Sequence, residues 1–125
     1  VLKNNNILSY VYKMSRELGS EFEEIACTYL KSTGYRIVAR NVSYRFGELD
    51  IVAYDGKVLV FVEVKGGNGF SPPRYRVDER KLRHLEMAAN RFIAQKRPKF
   101  DEIRLDVVEV LSTGEINHIK SVGRW

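Results

Sequence analysis

The chain has 125 residues, a length that suits one domain, and its hydrophobic fraction of 44% is too high for a disordered chain. No apolar run approaches the ~20 residues that a membrane-spanning helix needs, so we expect no membrane association. The net charge of +5 is concentrated in residues 65–104, which hold eleven Lys/Arg against five Asp/Glu. This charge distribution favours a polyanion as the partner, and nucleic acid is the first candidate. A solvated basic helix is the alternative.

Residues 1–13 are predicted to be an N-terminal extension, because Asn4-Asn5-Asn6 interrupts any periodic pattern. A single domain is then expected over residues 14–125, beginning at Met14. The sequence shows no secretory signal pattern. The only cysteine, Cys27, lies within a helical pattern and is predicted to be a buried core residue. These features together predict a cytoplasmic protein.

The first helix is predicted from Ser15 to Thr33 and ends at Gly34. Ser20 followed by Glu23 resembles a capping box, which would start the helix later. An apolar stripe at three- and four-residue steps defines its buried face: Leu18, Phe22, Ile25, Ala26, Tyr29 and Leu30.

Three strands are predicted next, over Tyr35–Tyr44, Leu49–Tyr54 and Val58–Lys65. Asp55-Gly56 is typical of a two-residue hairpin turn between the second and third strands. The third strand is apolar without alternation, which predicts burial on both faces and a central place in the sheet.

The remaining chain predicts a loop over Gly66–Val77 and a helix over Asp78–Lys96, with Asp78 as its N-cap. Two further strands are predicted over Ile103–Leu111 and Glu115–Ile119. The predicted fold class is therefore α/β, with a central mixed sheet flanked by helices in the order α-β-β-β-α-β-β.

Acidic and basic residues converge at the ends of the second and third strands. By strand alternation, Asp50 is expected to share a face with Glu48, and Glu63 with Lys65. The hairpin places the two strands side by side, so carboxylates would meet beside a lysine. Mg²⁺ prefers oxygen ligands and often uses only one or two carboxylates. These residue types suffice for metal-dependent phosphodiester hydrolysis. The alternative is a surface ion pair of Glu63 with Lys65 or Arg36.

The pattern resembles the PD-(D/E)xK nuclease motif, and more closely the YraN family, which is widespread in bacteria, is regarded as a family of endonucleases, and is distantly related to archaeal Holliday-junction resolvases. The resemblance covers roughly residues 16 to 120 and implies a restriction-endonuclease-like core. The matching residues include Glu23, Gly34-Tyr35, Asn41, Gly47-Glu48-Leu49-Asp50-Ile51-Val52-Ala53, Val60-Phe61-Val62-Glu63-Val64-Lys65, Val77, Lys81 and Leu105-Asp106-Val107-Val108.

The resemblance implies that Asp50 and Glu63 bind a metal ion, Mg²⁺ or its substitute Mn²⁺, with the main-chain carbonyl of Val64 as a further ligand. It implies that Asp50, Glu63 and Lys65 form the catalytic set. Glu23 corresponds to a helix glutamate that assists the metal site in resolvase-like relatives, and Glu48 could replace or supplement it. A solvated helix glutamate is the alternative for Glu23.

Two positions depart from the family pattern: Gly67 stands where an arginine is usual, and Phe22 where a glycine is usual. Tyr75 and Phe70 could stack on bases, although simple loop packing is the commoner outcome. The predicted contacts to nucleic acid come from five basic residues, Arg74, Arg76, Arg80, Lys81 and Arg83.

The leading prediction is a Mg²⁺-dependent endonuclease acting on structured or branched DNA. One rival is a nucleic-acid-binding module of the same fold without turnover. The other is an interaction subunit whose basic segment, residues 65–104, docks an acidic protein. The sequence leaves open the choice between DNA and RNA, and a homodimer is an open alternative for the oligomeric state.

Overall fold

A five-stranded mixed sheet with a helix on each face forms the described part of the protein. The computed structural model describes residues 19–67 and 78–122. Helix α1 covers residues 19–32, and α2 covers Glu79–Lys96. The strands are β1 (Arg36–Tyr44), β2 (Gly47–Asp55), β3 (Val58–Gly67), β4 (Glu102–Leu111) and β5 (Ile116–Ile119). This is the predicted order, and the fold is a restriction-endonuclease-like α/β core.

The strands lie in the order β1-β2-β3-β4-β5, so β3 is central, as its uninterrupted apolar run predicted. The β3–β4 pair is parallel and the other three pairs are antiparallel. Parallel neighbours require a crossover, and α2 lies in that connection. None of the helices in the described ranges is both long and apolar enough to cross a membrane.

Each face of the sheet carries its own core. Ala26, Cys27 and Leu30 of α1 pack against one face, which confirms the prediction that Cys27 is buried. Leu85 and Phe92 of α2 pack against the other face, where the Phe92 ring meets Phe61 edge-on at 5.9 Å between centroids. The β3 side chains alternate between these two cores, which explains why the whole strand is apolar.

The predicted ends of α2 are confirmed. The Asp78 carboxylate accepts a hydrogen bond of 2.7 Å from the Lys81 amide, which fixes the first turn. The helix ends at Arg97, whose φ of 47° is left-handed, just before Pro98. Gly34 ends α1 in the same way, with a φ of 95°.

Several local predictions were wrong. Helix α1 has already begun at Gly19, so Ser20 and Glu23 do not start it. The hairpin turn uses Gly56 and Lys57, because Asp55 still pairs with Val58 at the end of β2.

Two further predictions need correction. Ile25 was placed in the buried stripe of α1 but is 43% exposed. The predicted loop beginning at Gly66 starts later, because Gly66 and Gly67 extend β3. The rest of that loop, and residues 1–13, lie outside the described residues.

Gly66 and Phe22 fit each other closely. A Cβ atom added at Gly66 would overlap the edge of the Phe22 ring. Phe22 is the aromatic residue that departs from the family pattern, and it packs against the α1-side core. Because Gly66 has no side chain, its backbone leaves room for the Phe22 ring.

We expect Gly66→Ala to lower the free energy of unfolding by about 1–3 kcal/mol through overpacking. The loss should shrink in a Phe22→Ala background, with a coupling of about 0.5–3 kcal/mol in a double-mutant cycle followed by urea unfolding. Gly19→Ala is the control, because an added Cβ there meets nothing within 4 Å. An equal cost in both backgrounds would contradict the interpretation.

Candidate active site

Asp50 and Glu63 form a carboxylate pair on adjacent strands. The register that pairs Ile51 with Val62 sets Asp50 of β2 opposite Glu63 of β3. Glu63 is only 5% exposed, and the two side chains are hydrogen-bonded to each other. The Asp50 carboxylate also accepts a hydrogen bond of 2.8 Å from the Val64 amide. A surface ion pair at Glu63 is therefore excluded by its burial.

The environment of this pair disfavours two negative charges. Burial, and then the charge of Asp50, raise the pKa of Glu63 to about 7. Burial also raises the pKa of Asp50, against the opposing effect of the Val64 amide. Such raised carboxyl pKa values in a cluster are common at functional sites, because a bound cation or a proton must compensate the charge.

Two lysines approach the pair from the side of α2. Lys81 Nζ lies 3.4 Å from Glu63 Oε1, so this residue, which is also a predicted contact to nucleic acid, reaches the carboxylate pair. Lys65 follows Phe61 and Glu63 on the α2-facing side of β3, and its charge lowers the pKa of both carboxylates. The sequence had indicated this reach, since Lys81 lies at the edge of the apolar face of α2.

The strand alternation that was expected to put Glu48 and Asp50 on one face is broken. Leu49 packs in the α2-side core and Ile51 in the α1-side core, although they are two residues apart. On the neighbouring strand, Asn41 has a left-handed φ of 52°. The twist at Asp50 thus separates it from Glu48, which is exposed.

Glu23 and Glu48 border a polar cavity of 580 Å³ between α1 and the first two strands, and neither Asp50 nor Glu63 lines it. Burial and the charge of Asp50 raise the pKa of Glu23, while a hydrogen bond with Asn41 opposes that rise. In the ranges 19–67 and 78–122, however, no three His, Cys, Asp or Glu side chains are grouped to hold a metal ion. Glu23 and Glu48 are electrostatic neighbours in this arrangement and do not complete a cluster of three.

The donor set nevertheless suits a hard cation. Asp50 and Glu63 offer carboxylate oxygens, and the amide of Val64 points at Asp50. Because the N–H and C=O of one strand residue point toward the same neighbouring strand, the Val64 carbonyl also faces that side. Two carboxylates and a carbonyl fit Mg²⁺ or Mn²⁺, which retain several waters.

Comparison with known proteins places the chain in a family. The profile of the uncharacterised protein family UPF0102 matches residues 22–110. The chain belongs to UPF0102, which is the YraN family that its sequence motifs resemble. The matched span contains Asp50, Glu63, Lys65 and Lys81.

Relatives are similar over most of their length. A UPF0102 protein of Kosmotoga olearia is 66% identical over 112 residues, covering 90% of this chain and 97% of the relative. A UPF0102 protein of Pseudothermotoga lettingae is 48% identical, covering 82% and 94%. One of Thermotoga maritima is 44% identical, covering 82% and 93%. The name UPF0102 does not state an activity.

The other predicted nucleic-acid contacts of this UPF0102 chain are only partly described. Arg80 and Arg83 are exposed on α2, and Arg83 lies 3.9 Å from Glu79 in a solvent-facing ion pair. Arg74 and Arg76 lie outside the described residues, as do Phe70 and Tyr75. Of the predicted contacts within the described residues, Arg80 and Arg83 thus face solvent, whereas Lys81 contacts Glu63.

Proposed function

We propose that this UPF0102 protein is a metal-dependent endonuclease that hydrolyses phosphodiester bonds in structured or branched DNA. The observation that carries the proposal is the Asp50–Glu63 pair, in which Glu63 is buried and Asp50 partly buried, with the Val64 amide bound to Asp50 and with Lys81 and Lys65 nearby. A pair of this kind costs stability unless it binds something positive, which makes a purely structural role a poor explanation.

Asp50, Glu63 and the Val64 carbonyl would hold the Mg²⁺ or Mn²⁺. When bound, the cation would neutralise the phosphodiester charge and lower the pKa of the attacking water. Lys65 orients that water from the α2-facing side of β3. Lys81 offsets the charge of Glu63 and positions its carboxylate. The exposed arginines of α2 hold the flanking phosphates. Since DNA is the substrate, the cytoplasm is the proposed location.

The proposal predicts metal-dependent cleavage by the wild-type protein. Duplex, single-stranded, flap and four-way DNA are incubated with Mg²⁺, with Mn²⁺ or with chelator. We expect cleavage of at least one branched substrate with metal and none with chelator. Asp50→Asn should abolish cleavage while circular dichroism shows an intact fold, because the change removes a charged ligand and keeps the shape.

Calorimetry with Mn²⁺ separates binding from turnover. Asp50→Asn and Glu63→Gln should both weaken Mn²⁺ binding, whereas Asp101→Asn, an exposed carboxylate before β4, should leave it unchanged. Unchanged affinity in the two site variants would refute the metal site. Normal Mn²⁺ binding by the wild type without cleavage of any of the four DNA forms would refute the endonuclease activity on DNA.

A further inference from the structure

Two aromatic rings stack at the connection between β1 and β2. Tyr44 ends β1, and Phe46 lies in the two-residue connection before Gly47. Their ring centroids are 6.0 Å apart and their planes differ by 15°. Both side chains are partly exposed, and Arg45 between them is exposed. The connection therefore presents a parallel pair of rings with a cation beside it.

This connection lies at the catalytic end of the sheet. Asp50 follows Gly47 by three residues in β2, which corresponds to about 10 Å along an extended strand. The opposite end of the same strand carries the Gly56 turn. A strand of only a few nucleotides therefore spans the distance between the stacked rings and the carboxylate pair.

One flank of α2 continues the surface. A Cβ added at Gly47 would lie 3.1 Å from the His84 carbonyl oxygen, so the connection abuts the middle of the helix. The Tyr44 hydroxyl donates a hydrogen bond of 3.1 Å to Gln95 Oε1. Arg91 precedes Gln95 by four residues, about one turn, and so lies on the same side of α2. Burial raises the pKa of Tyr44, and the charge of Arg91 opposes that rise.

The charged residues on this flank of α2 are all basic. Arg80 and Arg91 are eleven residues apart and lie on the same side of the helix as His84 and Gln95, and no acidic residue of α2 shares that side. Lys81, which contacts Glu63, is ten residues before Arg91, or about 15 Å along the helix axis. Helix α2 thus carries one cation at the carboxylate pair, Lys81, and another, Arg91, one turn before the residue that contacts Tyr44.

We propose that Tyr44, Arg45, Phe46 and Arg91, the aromatic–arginine surface, bind unpaired nucleotides next to the scissile phosphate. This inference rests on the proposed function and narrows its substrate to nucleic acid with a single-stranded segment. Aromatic rings stack on any unpaired base, whereas bases within a duplex already stack on each other. The arginines contact the phosphates and also stack on bases. An apolar partner protein would not require the exposed arginines of this surface, Arg45 and Arg91.

Fluorescence anisotropy tests the proposal in chelator, so that no cleavage interferes. A labelled thymidine oligonucleotide and a duplex of the same length serve as probes. Phe46→Leu keeps apolar bulk against the core and removes the aromatic face. We expect it to weaken single-strand binding by about 5- to 150-fold, the range for loss of one base–aromatic stack, and to leave duplex binding unchanged. Arg91→Ala should weaken binding of both probes and flatten their salt dependence.

Phe100→Ala is the matched control, because Phe100 is a partly exposed aromatic residue at the other end of the sheet. It should bind both probes like the wild type. The proposal is overturned if Phe46→Leu binds the single strand as tightly as the wild type and Phe100→Ala do. It is also overturned if Phe46→Leu weakens the binding of the single strand and of the duplex equally. Thermal unfolding checks each variant, and Tyr44→Leu repeats the test if Phe46→Leu does not fold.

The two proposals fail in different ways. If the single strand binds through Phe46 but no DNA is cleaved with metal, the endonuclease proposal fails and the surface stands as a binding site. If cleavage occurs and depends on Asp50 while Phe46→Leu binds normally, only the aromatic–arginine surface is refuted.

Discussion

Replacement of Lys65 by alanine is expected to lower turnover by about 10²–10⁴-fold, the usual effect of removing a group that handles the proton of the nucleophile. Lys65 lies on the α2-facing side of β3, two residues after Glu63, and its charge acts on both carboxylates. Because Asp50 and Glu63 remain in place, Mn²⁺ affinity should change little. Single-turnover cleavage at saturating metal measures the effect.

The control is Lys57→Ala, since Lys57 is exposed in the turn at the opposite end of the sheet. It should retain wild-type turnover. Lys81→Ala gives a second comparison, because Lys81 contacts Glu63 directly and is expected to change metal affinity as well as turnover. Near-normal cleavage by Lys65→Ala, together with inactivity of Lys81→Ala, would assign the role to Lys81 and contradict the prediction.

The central place of β3 and the start of α2 could be predicted because both carry local signals. The unbroken apolar run of β3 requires cover on both faces, and a central strand provides it. Asp78 marks the start of α2 because its carboxylate satisfies the Lys81 amide in the first turn. Such signals involve residues that are close together in the chain, so they can be recognised from the sequence without knowledge of the tertiary structure.

The residues of the candidate site were proposed from the sequence, whereas part of their arrangement could not be predicted from it. Strand alternation gave the wrong face for Glu48, because the twist at Asp50 depends on how Leu49 and Ile51 pack on opposite cores. The contact of Lys81 with Glu63 depends on the position at which α2 crosses the sheet. Tertiary packing decides both features, and residue spacing does not encode it.

A second charged network lies beneath α1, away from the carboxylate pair. Asp106 of β4 is fully buried and accepts hydrogen bonds from Arg104 Nε at 2.8 Å and from the Ser121 amide at 3.3 Å. His118 Nε2 lies 2.8 Å from the same carboxylate, and Tyr29 Oη lies 2.9 Å from His118 Nδ1. The signal in the sequence is an aspartate between two apolar neighbours, Leu105 and Val107. The network ties α1, β5 and the following residues to β4.

The ionised state of Asp106 stabilises the fold. Burial acts to raise its pKa, but the hydrogen bonds from His118 and Arg104 outweigh burial and hold the pKa below its ordinary value. A carboxyl group whose pKa is lower in the folded than in the unfolded chain contributes stability above the unfolded value of about 3.9. That contribution is lost as the pH falls below this value toward the folded pKa.

Asp106→Asn is expected to lower the free energy of unfolding by about 3–5 kcal/mol at pH 7, because it leaves the partly buried Arg104 guanidinium without its main counter-charge. Urea unfolding at pH 7 and between pH 3 and 5 measures the effect. The difference from the wild type should narrow below about pH 4, where Asp106 takes up a proton in the unfolded wild-type chain while it stays ionised in the folded one. Asp101→Asn, an exposed carboxylate, should stay within about 0.5 kcal/mol at every pH. If the Asp106→Asn deficit remained constant down to pH 3, hydrogen bonding by the side chain, and not its charge, would be what stabilises this network.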